Sequence, residues 1–360
     1  MKHQSQPTVT DFGRTPEGHT AQLFTLRNAN GLEARITNYG GIITHLMVSD
    51  RNGTPADVVL GFDTLEPYFK NTPYLGALIG RVGNRISGGA FTLDGETYEL
   101  VKNNDPHGVP CHIHGGTKGF NQKLWEADLG VDDGLPILRL RYLSPDGEEG
   151  YPGNLECFVT YTLTDDALSI DYLATGDKRT PVSLTNHSYF NLRGEGNGNI
   201  LGHFATIHAK HFHPVRPGMT PTGETRPVAD TPFDFSAGKP IGRDIEKSDE
   251  QILLAGGFDL NYVLAASGSD GPILAAMVRD PESGRKMETW TTEPGIQFYT
   301  GNSLDGTLTG KCGRPYKKWD GFCLETQRFP DSLNRPEFPS IILEPGKTYQ
   351  TTTIYRFGVE

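Results

Sequence analysis

The chain has 360 residues with 33 Lys or Arg against 44 Asp or Glu, a formal charge of −11 that opposes phosphate neutralisation and excludes nucleic acid from the expected partners. A chain of this length buries roughly 75% of the surface its unfolded form exposes, so stability alone calls for neither disulfides nor a structural metal. No stretch has the length and apolarity of a membrane span or a secretory leader, and the expectation is a soluble, cytoplasmic protein without a membrane partner.

Gly (44) and Pro (25) punctuate the whole chain rather than one linker, so turns are expected everywhere. Between them lie short stretches of period-two alternation: Leu32, Ala34, Ile36; then Leu138, Leu140, Tyr142; then Cys157, Val159, Tyr161, Leu163; then Leu168, Ile170, Tyr172. Each reads as a half-buried antiparallel strand. The pairs Asn30-Gly31, Asn52-Gly53, Asp94-Gly95 and Asp146-Gly147 suit tight hairpins with positive φ at both turn positions. Helical periodicity is missing except around Asp244 to Leu254, where a short helix is the most the pattern supports. The predicted fold is all-β, a large antiparallel β-sandwich with few short helices. No repeat or Pro-rich linker divides it, which predicts a single domain over residues 1–360. Cys111, Cys157, Cys312 and Cys323 form no CxxC pair, and reduced thiols are expected.

Five regions carry more polar and aromatic groups than a strand or turn needs: GRVGNRI (Gly80 to Ile86), CHIHGG (Cys111 to Gly116), SLTNHSYFNL (Ser183 to Leu192), GGFDLNYVL (Gly256 to Leu264), and PGIQFYTGNSL with GFCLETQRFPDS (Pro294 to Ser332). Brought together, they supply Arg, Asn, His, Asp, Gln and Glu to one cleft. That set suits a pyranose, whose hydroxyls need donors and acceptors and whose C–H faces pack on aromatic rings. Tyr189, Phe190, Phe298 and Tyr299 flank these groups, although aromatics at strand ends are more often plain core.

RVGNRI, HGG, TNHSYFNL, TPFDF at Thr231 to Phe235, GFDLNYV, QFYTGNSL and FCLETQRFPDS match in order and spacing the motifs of the galactose mutarotase family of aldose 1-epimerases. The resemblance runs from about Thr37 to Phe357. It implies a β-sandwich with an open sugar cleft, no cofactor, and interconversion of the α and β anomers of free hexoses such as galactose and glucose. By the same resemblance Glu325 is the catalytic base, His187 the catalytic acid, and His114 a second histidine near the ring oxygen. Asn84, Arg85, Asp259 and Gln297 are then the residues that hold the sugar hydroxyls. A monomer or weak homodimer is expected.

These residue types fit the chemistry. Mutarotation removes the C1 hydroxyl proton while the ring oxygen is protonated, so one general base and one general acid suffice, each contributing on the order of 10² to 10⁴ in rate. Each assignment has a plainer alternative. A lone Glu in an extended segment is usually exposed, His187 reads equally as a core histidine, Arg85 as half of a salt bridge and Asp259 as a turn cap; spacing alone does not separate these. Cys111, His112 and His114, and further on His208, His211 and His213, lack complete zinc spacing, so no metal is expected and His112 receives no role. A hexose 6-phosphate epimerase would gather several Arg or Lys, where these motifs offer mainly Arg85. A sugar-binding module without catalysis would lack the acid and base, and Glu325, His187 and His114 are all present.

Overall fold

The alternation seen in the sequence is realised as strands. In the strand Leu155–Leu163 every second side chain is buried, and the register sets Tyr161 opposite Leu138 on one side and Ile170 on the other. Inner-face residues therefore meet inner-face residues, the condition that pins a register against a one-residue slip. The computed structural model describes residues 6–69, 73–265 and 271–360. Three large antiparallel sheets dominate them. A sequential five-stranded meander spans Thr8–Arg14 to Pro55–Asp57. A nine-stranded sheet is centred on Ala167–Gly176 and Thr348–Val359, which pair along nine positions.

The third sheet has five strands and carries Asp259–Leu264, Gly295–Tyr299 and Cys323–Gln327 side by side. Strand side chains alternate between faces. Leu260, Tyr262, Leu264, Ile296, Phe298 and Leu324 accordingly join one apolar cluster with Ala34, Ile36, Leu138, Val159 and Ile170 from the other two sheets. The intervening Asp259, Asn261, Gln297, Tyr299, Cys323, Glu325 and Gln327 occupy the opposite face. This is the all-β sandwich the sequence predicts. The short helix is Glu250–Ala255, capped by the Asp249 carboxylate accepting from the Gln251 amide (2.9 Å) and ended by Gly256 at φ 70°. All four cysteines are free, and no helix among the described residues is long and apolar enough to cross a membrane.

The turn expectation holds at one site of four. Asp94 and Gly95 both have positive φ (53° and 84°) and join Ala90–Leu93 to Glu96–Glu99 as a two-residue hairpin. At the other three pairs only the glycine is left-handed. The loop at Asn52-Gly53 is longer, and the Asp50 carboxylate organises it by accepting from the amides of Asn52 (2.8 Å) and Thr54 (2.9 Å).

One residue that periodicity does not flag secures the loop leading to the cleft. The Arg81 side chain is 2% exposed, and its guanidinium donates to Ser144 Oγ (2.8 Å), Ser144 O (3.0 Å), Pro145 O (2.7 Å) and Pro152 O (2.9 Å). Replacing it by an apolar isostere strands these acceptors away from water. Arg81→Met should lower stability by about 3 kcal/mol or more in urea unfolding; a loss below about 1 kcal/mol would show that the acceptors find other donors.

Candidate active site

The polar face of the third sheet borders an open cleft of about 370 Å³. Glu325 reaches it from the middle of Cys323–Gln327, a strand buried at all five positions. His187 comes from the end of Thr185–His187, which is held by pairing with Ala77–Ile79. Its Nε2 lies 3.6 Å from Glu325 Oε1, with the two residues 4% and 2% exposed. The His187 ring stacks on Tyr189 with centroids 5.1 Å apart, and His114 stands edge-on to it at the same distance.

His114 is fixed by reciprocal bonds to the GNRI loop: its amide donates to Asn84 O (3.1 Å) and its Nδ1 accepts from the Asn84 amide (3.1 Å). The glycine that follows is dictated by space. Gly115 has φ 81°, and a Cβ there would lie 1.7 Å from the Gly80 carbonyl oxygen. Arg85 next along the loop donates from Nε to Asn104 Oδ1 (3.0 Å) and sets Nη1 3.7 Å from Asp259 Oδ2.

Burial governs the protonation of this cluster. It pushes the Glu325 carboxyl well above the usual carboxylate range; the Asp259 charge adds to the shift and Arg85 opposes it. Burial lowers His187 to about 4, with Arg85 contributing. His114 is also held well below the ordinary imidazole value by burial, His187 and Arg85. At neutral pH the site therefore presents two neutral imidazoles beside a carboxyl that titrates unusually high.

Six of the seven residues singled out in the sequence line the cleft: Asn84, Arg85, His114, His187, Asp259 and Glu325. Gln297 is the exception. It is 4% exposed and its Nε2 donates to Asp259 Oδ1 (2.6 Å), so it buttresses a lining residue rather than lining the cleft itself. Tyr189 and Tyr299 line the cleft, whereas Phe190 and Phe298 are core, because alternation sends Phe298 to the face opposite Tyr299. Tyr74, Asn104 and His107 also line it. They lie in Pro- and Gly-punctuated loops whose polar residues read as ordinary turn formers. His112 is a satisfied interior residue, bonded at 2.8 Å to both Val101 O and Tyr151 OH. His213 pairs with Asn261 (3.0 Å), while His208 and His211 are exposed.

A carboxyl and two imidazoles converging on an open cleft over the polar face of a β-sandwich sheet are groups able to move protons on a small polar molecule. Comparison with known proteins identifies the family. Residues 22–356 match the family model for aldose 1-epimerase. The galactose mutarotase of Bos taurus is 46% identical over 349 residues, covering 97% of each chain, and the aldose 1-epimerase of Escherichia coli (strain K12) is 37% identical over 96% of this chain and 97% of that one. Among solved structures, the GalM/aldose epimerase homologue from C. elegans superposes with a TM-score of 0.84 at 30% identity, covering 94% of this chain and 99% of the other. The galactose 1-epimerase from Lactobacillus acidophilus NCFM gives 0.85 at 27% identity over 98% and 99%. The chain belongs to the aldose 1-epimerase family of carbohydrate isomerases.

His114, His187 and Glu325 place their ligand atoms within 4.8 Å of one another, close enough to raise the question of a metal. The bonding of the His114 ring argues against one. A metal-ligating histidine donates its second ring N–H to an acceptor, yet His114 Nδ1 accepts from the Asn84 amide, which leaves the proton on Nε2. That nitrogen offers an N–H and not a lone pair. Activity should survive dialysis against a strong chelator, with polarimetry as the readout; a loss that added zinc restores would reject this reading.

Proposed function

We propose that this chain interconverts the α and β anomers of free hexoses such as galactose and glucose, with Glu325 as general base, His187 as general acid and His114 hydrogen-bonded to the ring oxygen. The observation that carries the reading is the 3.6 Å approach of His187 Nε2 to Glu325 Oε1 inside the cleft. Glu325 takes the proton from the C1 hydroxyl, the C1–O5 bond breaks as C1–O1 becomes a carbonyl, and O5 receives the Nε2 proton of His187. The proton taken up by Glu325 passes to Nε2 across the short gap in the same event, so the neutral ring is not left as a free imidazolate and both groups are restored. Rotation about C1–C2 and the reverse sequence close the ring on the other face. Electrons stay within the sugar, and the side chains supply every proton.

Arg85, Asn84 and Asp259 hold the distal hydroxyls while C1 stays free to rotate, with Gln297 acting through Asp259. Arg85 is the one Arg or Lys among the described residues lining the cleft, which favours a neutral sugar over a hexose phosphate. The same reading includes one domain over residues 1–360, a monomer or weak homodimer, a cytoplasmic location, and no cofactor, nucleic-acid or membrane partner. Polarimetry of freshly dissolved α-galactose and α-glucose is the direct test. No acceleration over buffer with either sugar would overturn the proposal.

Glu325→Gln and His187→Asn should each lower kcat by at least about 10²-fold with folding retained. The double variant should lose far less than the product of the two, because the residues act in one event. A folded Glu325→Gln enzyme with near wild-type activity removes Glu325 as the base.

The pH profile has a definite sign. Glu325 works as the carboxylate, so kcat/KM should fall as pH drops through its folded pKa, and that limb should lie above the ordinary carboxylate value of 4.5. Because the Asp259 charge contributes to the rise, Asp259→Asn should move the limb to lower pH as well as raise KM. An unmoved limb would mean that another group sets it.

A further inference from the structure

Cys323 and Glu325 stand two positions apart on one strand, so their side chains share a face, and His187 lies against both. Glu325 Oε1 is 3.6 Å from Nε2 of the ring and Cys323 Sγ is 3.5 Å from Nδ1. One strand thus brackets the imidazole at both of its nitrogens. The thiol is fully buried, and its backbone is locked in register opposite Tyr299.

We infer that Cys323 is a positioning residue whose thiol donates to Nδ1 of His187 and holds that ring in the tautomer with its proton on Nε2, toward Glu325 and the sugar. This rests on the reading of His187 as the proton donor. A neutral imidazole carries one N–H and one lone pair, and only the Nε2–H form offers a proton to the cleft. Burial keeps the Cys323 thiol protonated and the His187 ring neutral at pH 7. Between a neutral thiol and a neutral imidazole, sulfur is the weak acceptor and the ring nitrogen the good one, so S–H···N is the favoured sense. At the other nitrogen Glu325 in its ionised form, the form that works as the base, accepts only, and its 3.6 Å approach favours N–H there. The two ends agree. The competing influence is the backbone carbonyl of His187 itself; one of its two lone pairs is taken by the Gly76 amide at 3.0 Å, and the tautomer of the ring decides between that oxygen and the thiol.

The test reads the tautomer directly. Long-range ¹H–¹⁵N correlation spectra of the full-length protein, with the His187 signals assigned by their loss in His187→Asn, are recorded for wild type, Cys323→Ala and Cys323→Ser, together with kcat and KM. Wild type should show the Nε2–H pattern. Cys323→Ala should admit the Nδ1–H form and lower kcat by about tenfold, with KM changed by less than about twofold, as expected for losing one hydrogen bond that acts on the proton donor. Cys323→Ser restores a donor of similar shape and should recover both the tautomer and the rate. A wild-type ring found as Nδ1–H overturns the inference even if the alanine variant fails to fold, and so does an unchanged kcat in Cys323→Ala. Failure of the underlying reading looks different: His187→Asn would keep mutarotation, whatever tautomer wild-type His187 shows.

Discussion

Burial of the Glu325 carboxyl is the constraint on which the rest of the site depends. Its strand is covered on both faces, with Leu324 turned to the sandwich core and Glu325 to the base of the cleft. Glu325 Oε2 is buried without a hydrogen-bond partner among the described residues, and an ionised carboxylate so placed costs several kcal/mol unless it is paired. The group relieves that cost by shifting its pKa upward, and the shift makes it a better base near neutral pH than a solvated glutamate. Arg85 limits the shift and Asp259 enlarges it, so the two residues proposed to hold sugar hydroxyls also adjust the base.

A carboxyl held this way needs an unyielding frame. Asn261, Gln297 and Glu325 stand directly opposite one another across three strands, with His213 continuing the row beyond Asn261. Within the row, Asn261 Nδ2 meets His213 Nδ1 at 3.0 Å, but Asn261 Oδ1 and Gln297 Oε1, like both amide atoms of Gln327 two positions along the last strand, find no hydrogen-bond partner among the described residues. Gly295 leaves room for this arrangement, since a Cβ there would stand 2.6 Å from Asn261 Oδ1. An apolar set on that face would pack more stably. Polar groups left short of partners on one face of an otherwise well-formed sheet are the kind of local inconsistency expected where function overrides stability.

The sequence is most legible where one physical pattern decides the outcome. Period-two alternation was enough for the strands at Leu32 to Ile36 and Leu138 to Tyr172, because burial on one face imposes it. It cannot encode which strands become neighbours: Ala167–Gly176 pairs with Thr348–Val359, from the far end of the chain. Dipeptide signals alone did not determine the turns, because Asp50 rather than Asn52-Gly53 shapes its loop. In the site, motif resemblance brought Asn84, Arg85, His114, His187, Asp259 and Glu325 to one cleft, but it could not show that the Gln297 amide is spent on Asp259. Arg81 and Tyr74 were illegible for a related reason. Their roles depend on backbone carbonyls and ring faces supplied by distant segments, which neither the place of Arg81 in RVGNRI nor the loop around Tyr74 discloses.

The two imidazoles of the cleft are held by donors of unequal strength, and the inequality matches what the proposed mechanism asks of each ring. His114 Nδ1 faces a backbone amide whose loop is tied back by a second bond from the His114 amide to Asn84 O. That grip does not relax, so His114 stays an Nε2–H donor throughout the reaction. His187 faces the Cys323 thiol at 3.5 Å, a weaker donor than a backbone amide. A ring that must give up and recover a proton within each half-reaction moves from neutral toward negative charge as its Nε2–H is donated, and a donor at Nδ1 eases that change, the thiol doing so without fixing the ring as firmly as a backbone amide would. The ring that only donates a hydrogen bond is clamped, and the ring that exchanges its proton is loosely steered.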